Sequence, residues 1–135
     1  MKGFKSAIET EAVENTCFRK VLYTSEYMQL VLMSLLPNEE IGLEVHNAND
    51  QFFRVEKGRG ECVIDGNRYE LADGDAVVVP SGAKHNIINT SGTETLNLYT
   101  IYSPPHHKDG IVRATKAEAE ANEEEFDGTT TEPQP

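Results

Sequence analysis

The sequence predicts an all-β protein folded as an antiparallel sandwich or barrel. Between Cys17 and Tyr102, apolar runs of about four to eight residues alternate with glycine, proline, asparagine and aspartate, which is typical of short strands joined by tight turns. The segments between the runs are too short for crossover helices, which excludes a parallel sheet with intervening helices. A chain of 135 residues also leaves room for a single domain.

Nine apolar runs are predicted to form the strands. They cover residues 18–24, 27–36, 41–46, 51–56, 61–64, 68–71, 76–79, 84–89 and 95–102. Turn dipeptides such as Asp65-Gly66 and Asp73-Gly74 supply the positive φ angles that tight connections require. These turns support antiparallel neighbours along most of the chain.

The two ends of the chain lack this pattern. Residues 1–15 are predicted to form an N-terminal arm with a helical turn over 6–14, and residues 16–105 form the β-barrel domain. Residues 106–135 comprise a loop, a short solvent-facing helix over 115–125 and a disordered acidic tail over 126–135.

Composition argues against several classes of partner. Twelve basic and 23 acidic side chains leave a formal charge of -11, which repels nucleic-acid phosphates and anionic lipid. The first residues lack the apolar stretch of a secretory signal, and no run approaches the roughly 20 apolar residues of a membrane span. We therefore expect a cytoplasmic protein with no nucleic-acid or membrane partner, in which Cys17 and Cys62 are free thiols.

Four polar side chains are expected to converge inside the barrel. Glu44 and His46 are two residues apart in a strand, so both project from the same face. Gln51 opens the next strand and shares a face with the core residue Phe53, whereas His85 begins a later strand after a Pro-Ser-Gly turn. The sequence thus places four possible metal ligands toward one interior.

The donor atoms of this set limit the choice of metal. Two imidazole nitrogens, one carboxylate oxygen and one amide oxygen suit Zn²⁺, Mn²⁺, Fe²⁺ or Ni²⁺ better than Ca²⁺ or an all-thiolate site. Either histidine alone is better interpreted as a structural residue, and the metal site rests on the combination. Glu44 has two possible roles in it, metal ligand or catalytic base.

Two spaced motifs carry a resemblance to a known family. Gly42-x3-His46-x4-Gln51-x6-Gly58 is similar to the first motif of the cupins, which has a glycine, a His-x-His pair, a glutamate and a glycine. In this chain Glu44 stands in place of the first histidine and Gln51 in place of the glutamate.

The second motif matches the cupin pattern at every defined position. It reads Gly74-x5-Pro80-x-Gly82-x2-His85-x3-Asn89. The resemblance to small single-domain cupins implies a double-stranded β-helix, also called a jelly-roll barrel, with a divalent transition metal and a small-molecule ligand inside. It also implies a homodimer.

The resemblance leads to three hypotheses about function. A ligand set of one Gln, one Glu and two His resembles that of the zinc-dependent mannose-6-phosphate isomerases, which are cupins. The first hypothesis is therefore a zinc-dependent, sugar-isomerase-like enzyme. The second is a non-haem metal dioxygenase, because two histidines and one carboxylate imitate the facial triad of such enzymes. The third is a non-catalytic module that binds a sugar or another metabolite.

The remaining polar residues receive lesser roles. His106 and His107 could cap a pocket or bind a second metal, but an ordinary exposed pair in a loop is the better interpretation. Tyr99 and Tyr102 are candidates to line the barrel mouth, and packing explains them equally well. No glycine-rich phosphate loop or arginine cluster is visible, which argues against a phosphosugar. The cations considered for an anionic substrate are Lys84, Arg54 and Arg68.

Overall fold

The computed structural model describes residues 1–133, which form two antiparallel sheets and two short helices. The elements in chain order are α1 (Ile8–Glu14), β1 (Arg19–Thr24), β2 (Gln29–Leu35), β3 (Glu44–Val45), β4 (Asp50–Lys57), β5 (Arg59–Ile64), β6 (Asn67–Ala72), β7 (Ala76–Val79), β8 (Lys84–Asn89), β9 (Leu96–Ser103), β10 (Val112–Arg113) and α2 (Lys116–Ala121). The larger sheet has the order β10-β1-β2-β9-β4-β7 and the smaller one β3-β8-β5-β6. The predicted all-β fold is confirmed.

The two sheets enclose one apolar core. Alternation of side chains sends Phe53 and Val55 of β4 inward, where they join core residues of the smaller sheet such as Cys62 and Ile87. Cys17 and Cys62 are both free, and burial raises the pKa of the Cys62 thiol to about 11.

The N-terminal helix α1 packs on β2, β4 and β9 of the larger sheet. Ala12 is fully buried, and the Asn97 amide donates hydrogen bonds to the carbonyl oxygens of Ala12, Val13 and Asn15. These carbonyls are at the helix C-terminus, where the last turn leaves backbone acceptors short of helical partners. Asn97 therefore fixes the N-terminal segment to the barrel.

The predicted strand over residues 41–46 is reduced to the two residues of β3. Glu40 pairs with Ile88, whereas Glu44 pairs with His85, so β3 carries one residue more than its partner between these pairs. Such a bulge interrupts the ladder of backbone hydrogen bonds. It also brings Glu44, rather than Leu43, opposite His85.

The C-terminal segment is more ordered than the sequence predicts. The helix expected over 115–125 ends at Ala121, where Asn122 caps it by donating to the Glu118 carbonyl. Beyond it, the Thr131 N–H donates to the Thr24 carbonyl. Of the expected disordered tail, residues 126–133 thus have defined positions, and residues 134 and 135 lie outside the described part. No helix within residues 1–133 is long and apolar enough to cross a membrane.

Candidate metal centre

Three of the predicted ligands meet at one end of the barrel. Glu44 and His85 are paired across β3 and β8, so their side chains leave the same face of the smaller sheet. His46 follows β3 and faces the same side. One ligand atom from each residue lies within 4.8 Å of the other two. This spacing suits three ligands of a single metal ion.

His85 is oriented by the backbone beside it. Its Nδ1 lies 3.1 Å from the Ala83 carbonyl oxygen, so Nδ1–H donates and the lone pair of Nε2 stays free. Burial lowers the pKa of His85, which keeps the ring neutral at pH 7. A neutral imidazole with a free Nε2 is the form that binds a metal.

His46 and Glu44 point at a common position. The His46 Nε2 atom is buried and lies 2.7 Å from Oε2 of Glu44, yet it has no hydrogen-bond partner of acceptable angle within residues 1–133. Burial alone would raise the pKa of Glu44, but the contact with His46 and the charge of Arg19 hold it below its ordinary value. An ionised carboxylate and an imidazole nitrogen directed side by side suit a shared cation.

Gln51 faces the same interior from the larger sheet. Its amide nitrogen donates to the Thr100 hydroxyl at 3.0 Å, and its register partner on β9 is Tyr102. The Oε1 atom is buried and has no hydrogen-bond partner in the described chain. Because the amide nitrogen is committed to Thr100, Oε1 remains as an oxygen donor, which fits a fourth ligand.

Two loops hold the ligands in place. The Gly82 N–H donates to the His46 carbonyl at 3.0 Å, and the Ser81 hydroxyl donates to the Asn47 carbonyl at 2.7 Å. The turn that precedes His85 is therefore bonded directly to the loop that begins at His46. This contact fixes the two imidazoles relative to each other.

The expectation of an ordinary exposed loop for His106 and His107 is wrong. The ring centre of His106 lies 4.3 Å from that of His46, and Nε2 of His107 lies 3.2 Å from the Tyr102 hydroxyl. Burial lowers the pKa of both residues, that of His107 to about 2, and the charge of Arg19 adds to the effect. All four histidines of the chain thus belong to one cluster.

The buried side-chain amide of Gln29 holds the segment that carries His106 and His107 in place. Gln29 accepts hydrogen bonds from the N–H groups of His106 and His107 and donates to the His107 carbonyl at 2.7 Å. The side chain of Asn49 donates to the carbonyl oxygens of the preceding prolines, Pro104 and Pro105. Sequence reasoning missed Gln29, and its one signal is an amide inside an otherwise apolar run.

Of the two predicted mouth residues, only Tyr102 faces the site. Tyr102 is buried against His46 and His106, and burial raises the pKa of its hydroxyl. Tyr99 lies on the opposite face of β9, next to Phe52, because it is three positions before Tyr102 and residues at an odd offset in a strand point to opposite faces.

The cations at the site are also different from those expected. Arg54 contacts Glu56, Arg68 contacts Glu61, and Lys84 is exposed at the start of β8. A cavity of about 320 Å³ at the centre is instead lined by Arg19 and Arg113. The other lining residues that matter here are Glu44, His46, His106, His107 and the run 122–125.

Comparison with known proteins gives a consistent result. The cupin domain family matches residues 31–102. The Bacillus subtilis protein YrkC is 43% identical over 129 residues, which are 91% of this chain and 69% of that protein. The crystal structure of BH2720 from Bacillus halodurans has a TM-score of 0.87 and 41% identity, and the match covers 90% of this chain and 96% of the other. Quercetin 2,3-dioxygenase of Bacillus subtilis is 28% identical over 89 residues, 66% of this chain but 26% of that enzyme.

Proposed function

The chain belongs to the cupin family, and we propose that it is a metal-dependent enzyme that acts on a small polar metabolite bound in its barrel. The observation that carries the proposal is the meeting of Glu44, His46 and His85, whose ligand atoms lie within 4.8 Å of one another. Two imidazole nitrogens and one carboxylate suit a divalent transition metal.

The unpartnered atoms at this position support the same proposal. Nε2 of His46 and Oε1 of Gln51 are buried without hydrogen-bond partners among residues 1–133, and each such atom costs about 1–3 kcal/mol. A bound ion would satisfy both. We propose zinc as the native metal, with manganese, iron and nickel as alternatives, held by His46, His85, Gln51 and Glu44.

Isomerisation of a sugar-like metabolite is the reaction we propose. A bound divalent ion supplies Lewis-acid polarisation of a carbonyl or hydroxyl oxygen. A proton must then move between neighbouring carbons, which requires a base beside the substrate. Glu44 serves as this base if it is not a ligand, and otherwise the neutral imidazole of His106 is close enough to serve. The Tyr102 hydroxyl stays protonated and can donate a hydrogen bond.

Oxidation by dioxygen is the second candidate. Two histidines and one carboxylate are the ligands of the facial triad in non-haem iron oxygenases. The similarity to quercetin 2,3-dioxygenase, although limited to about a quarter of that enzyme, favours this alternative.

The test begins with the metal. Elemental analysis of the purified protein should find about one transition-metal ion per chain, and a chelator should lower its melting temperature. His46→Ala and His85→Ala should abolish both effects. Glu44→Gln, which removes the carboxylate, should weaken both effects. Its matched control is Glu40→Gln, which should leave both unchanged because Glu40 is exposed and lies outside the site. The proposal would be refuted if the purified wild type contained no transition metal and a chelator left its melting temperature unchanged.

Isomerase and dioxygenase activities can be distinguished by whether the reaction consumes oxygen. An isomerase should exchange substrate hydrogen with solvent deuterium without using oxygen, whereas a dioxygenase reconstituted anaerobically with Fe²⁺ should take up oxygen when a diol or thiol is added. A ligand that raises the melting temperature without turnover would instead indicate the non-catalytic binding module.

A homodimer in the cytoplasm completes the proposal. Val78, Phe52, Ile101 and Leu30 are register neighbours across β7, β4, β9 and β2, and none of them is buried. Such an apolar row on the outer face of a sheet is typical of a subunit interface. The free thiols Cys17 and Cys62 agree with a reducing compartment.

A further inference from the structure

Arg19 enters the barrel without a carboxylate partner among residues 1–133, and its guanidinium carbon lies 5.3 Å from the centre of the neighbouring Phe18 ring. Its register partner on β2 is the core residue Met33, so Arg19 lies on the inward side of β1. Its Nε is buried and has no hydrogen-bond partner within residues 1–133, and no carboxylate of this part of the chain lies within ion-pair distance of it. We propose that Arg19 is a carboxylate-binding subsite and that the substrate of the proposed metal centre is a small carboxylic acid.

The neighbouring Arg113, unlike Arg19, has hydrogen-bond partners for its guanidinium. Arg113 is the register partner of Arg19 on β10 and lines the same cavity. Its Nη2 donates to Glu124 at 3.0 Å and to the Asn122 carbonyl at 2.9 Å. Arg113 is therefore occupied by the protein's own carboxylate, and Arg19 is the guanidinium left for a ligand.

The position of Arg19 places that ligand beside the metal centre. Arg19, Glu44 and His46 line one cavity of about 320 Å³, a size at the lower end for small-molecule sites. A ligand there could reach the metal with one end and Arg19 with the other. A divalent ion bound at Glu44 would more than offset the charge of that carboxylate, which favours an anion on the side of the cavity that Glu44 shares with Arg19. The cavity's other carboxylates belong to Glu123, Glu124 and Glu125, and Glu124 is paired with Arg113 and Lys108.

The donor pattern favours a carboxylate over a phosphate. Nε–H and one Nη–H of a guanidinium are parallel and match the two oxygens of a carboxylate. A phosphate usually needs further donors, such as backbone N–H groups at a glycine-rich loop or a second cation. The second arginine at this cavity is already bonded to Glu124.

The inference rests on the proposed metal function, and the test keeps the two apart. Zinc is first titrated into the metal-free wild type, Arg19→Gln and Lys20→Gln. Lys20 is the matched control, because it follows Arg19 on β1 but is exposed on the other face. Malonate, propane-1,3-diol and inorganic phosphate are then titrated by calorimetry into both the zinc-loaded and the metal-free proteins.

We expect malonate to bind the zinc-loaded wild type and to bind Arg19→Gln about tenfold or more weakly, as loss of a charge-assisted pair requires. Lys20→Gln should match the wild type, and zinc should bind all three proteins alike. The diol, which lacks the charge, should bind about tenfold or more weakly than malonate. If Arg19→Gln does not fold, Arg19→Lys takes its place. Lysine keeps the positive charge but lacks the paired N–H donors of the guanidinium, so malonate should still bind more weakly than to the wild type.

Each contrary result has a separate meaning. Failure of zinc to bind the wild type would overturn the choice of zinc, and failure of manganese, iron and nickel as well would overturn the proposed function. The titrations of the metal-free proteins would then test the role of Arg19 by itself. Equal malonate affinity in the wild type and Arg19→Gln would overturn the subsite. Phosphate that binds more tightly than malonate, in an Arg19-dependent manner, would overturn the carboxylate assignment.

Discussion

Replacing Gly58 by alanine should destabilise the fold far more than replacing Gly74. Both glycines belong to the cupin motifs, and both have a φ of +90°. They differ in their surroundings. A Cβ on Gly58 would lie 2.4 Å from the Thr95 carbonyl oxygen and 3.2 Å from Cα of Leu96, whereas a Cβ on Gly74 would meet nothing within 4 Å.

The magnitude follows from these distances. An alanine at positive φ costs about 1–2 kcal/mol, and this applies equally to both sites. At Gly58 the contact is with backbone, which cannot rotate away, so β9 or the β4–β5 connection must shift. Forced shifts of this kind cost about 1–3 kcal/mol more. We therefore expect losses of about 1–2 kcal/mol for Gly74→Ala and about 2–5 kcal/mol for Gly58→Ala.

Urea unfolding followed by far-ultraviolet circular dichroism measures both losses, since the chain has no tryptophan for fluorescence. The m-value should be unchanged, so that the midpoint reports stability alone. Equal losses in the two variants would show that the Thr95 contact relaxes freely, and the steric reasoning would then be wrong.

Three further predictions concern the site. His85→Ala should remove the response of stability to metal, which in the wild type is about 2.7 kcal/mol at a hundredfold excess over the dissociation constant; a retained response in urea unfolding would contradict this. Gln51→Glu should bind metal about tenfold or more tightly in a chelator competition, while its metal-free form loses about 1–3 kcal/mol because a second buried carboxylate joins Glu44. Burial and the charge of Arg19 lower the pKa of His107 in the folded protein to about 2. Its contribution to stability is therefore present above about pH 6.5 and is lost below it, at up to about 1.4 kcal/mol per pH unit. His107→Gln should show a shallower loss between pH 6.5 and 5 in urea unfolding, and identical slopes would refute the assignment.

The sequence predicted the parts of the structure that follow from local periodicity. Alternating side chains and turn residues indicated two antiparallel sheets, and eight of the nine strands differ from their predicted ranges by two residues or fewer at each end. The same periodicity placed Glu44 beside His46. The meeting of these two with His85 was implied by the resemblance of the two motifs to those of the cupins.

Contacts between distant parts of the chain could not be predicted from local periodicity. His106 and His107 follow two prolines and look like an exposed loop, and they are drawn inward by Gln29, which is 77 and 78 residues away. The strand β10 has two residues, too few to show a period, so its pairing with β1 was invisible. Without that pairing, Arg19 had no visible connection to the cavity.

The proposed metal ligands and most of the residues that line the cavity also come from different parts of the chain. The four proposed ligands all lie within residues 31–102, the part that matches the cupin domain, and His85 and Gln51 are buried. Apart from Glu44, Val45 and His46, the residues that line the cavity lie outside this range, among them Arg19, His106, His107, Arg113 and the run 122–125. The Glu44 side chain, which is 30% exposed, marks the side from which a ligand reaches the centre. We therefore expect membership of the cupin family to be informative about the proposed metal site, and the flanking segments, which the motifs do not cover, to influence which ligand the cavity accepts.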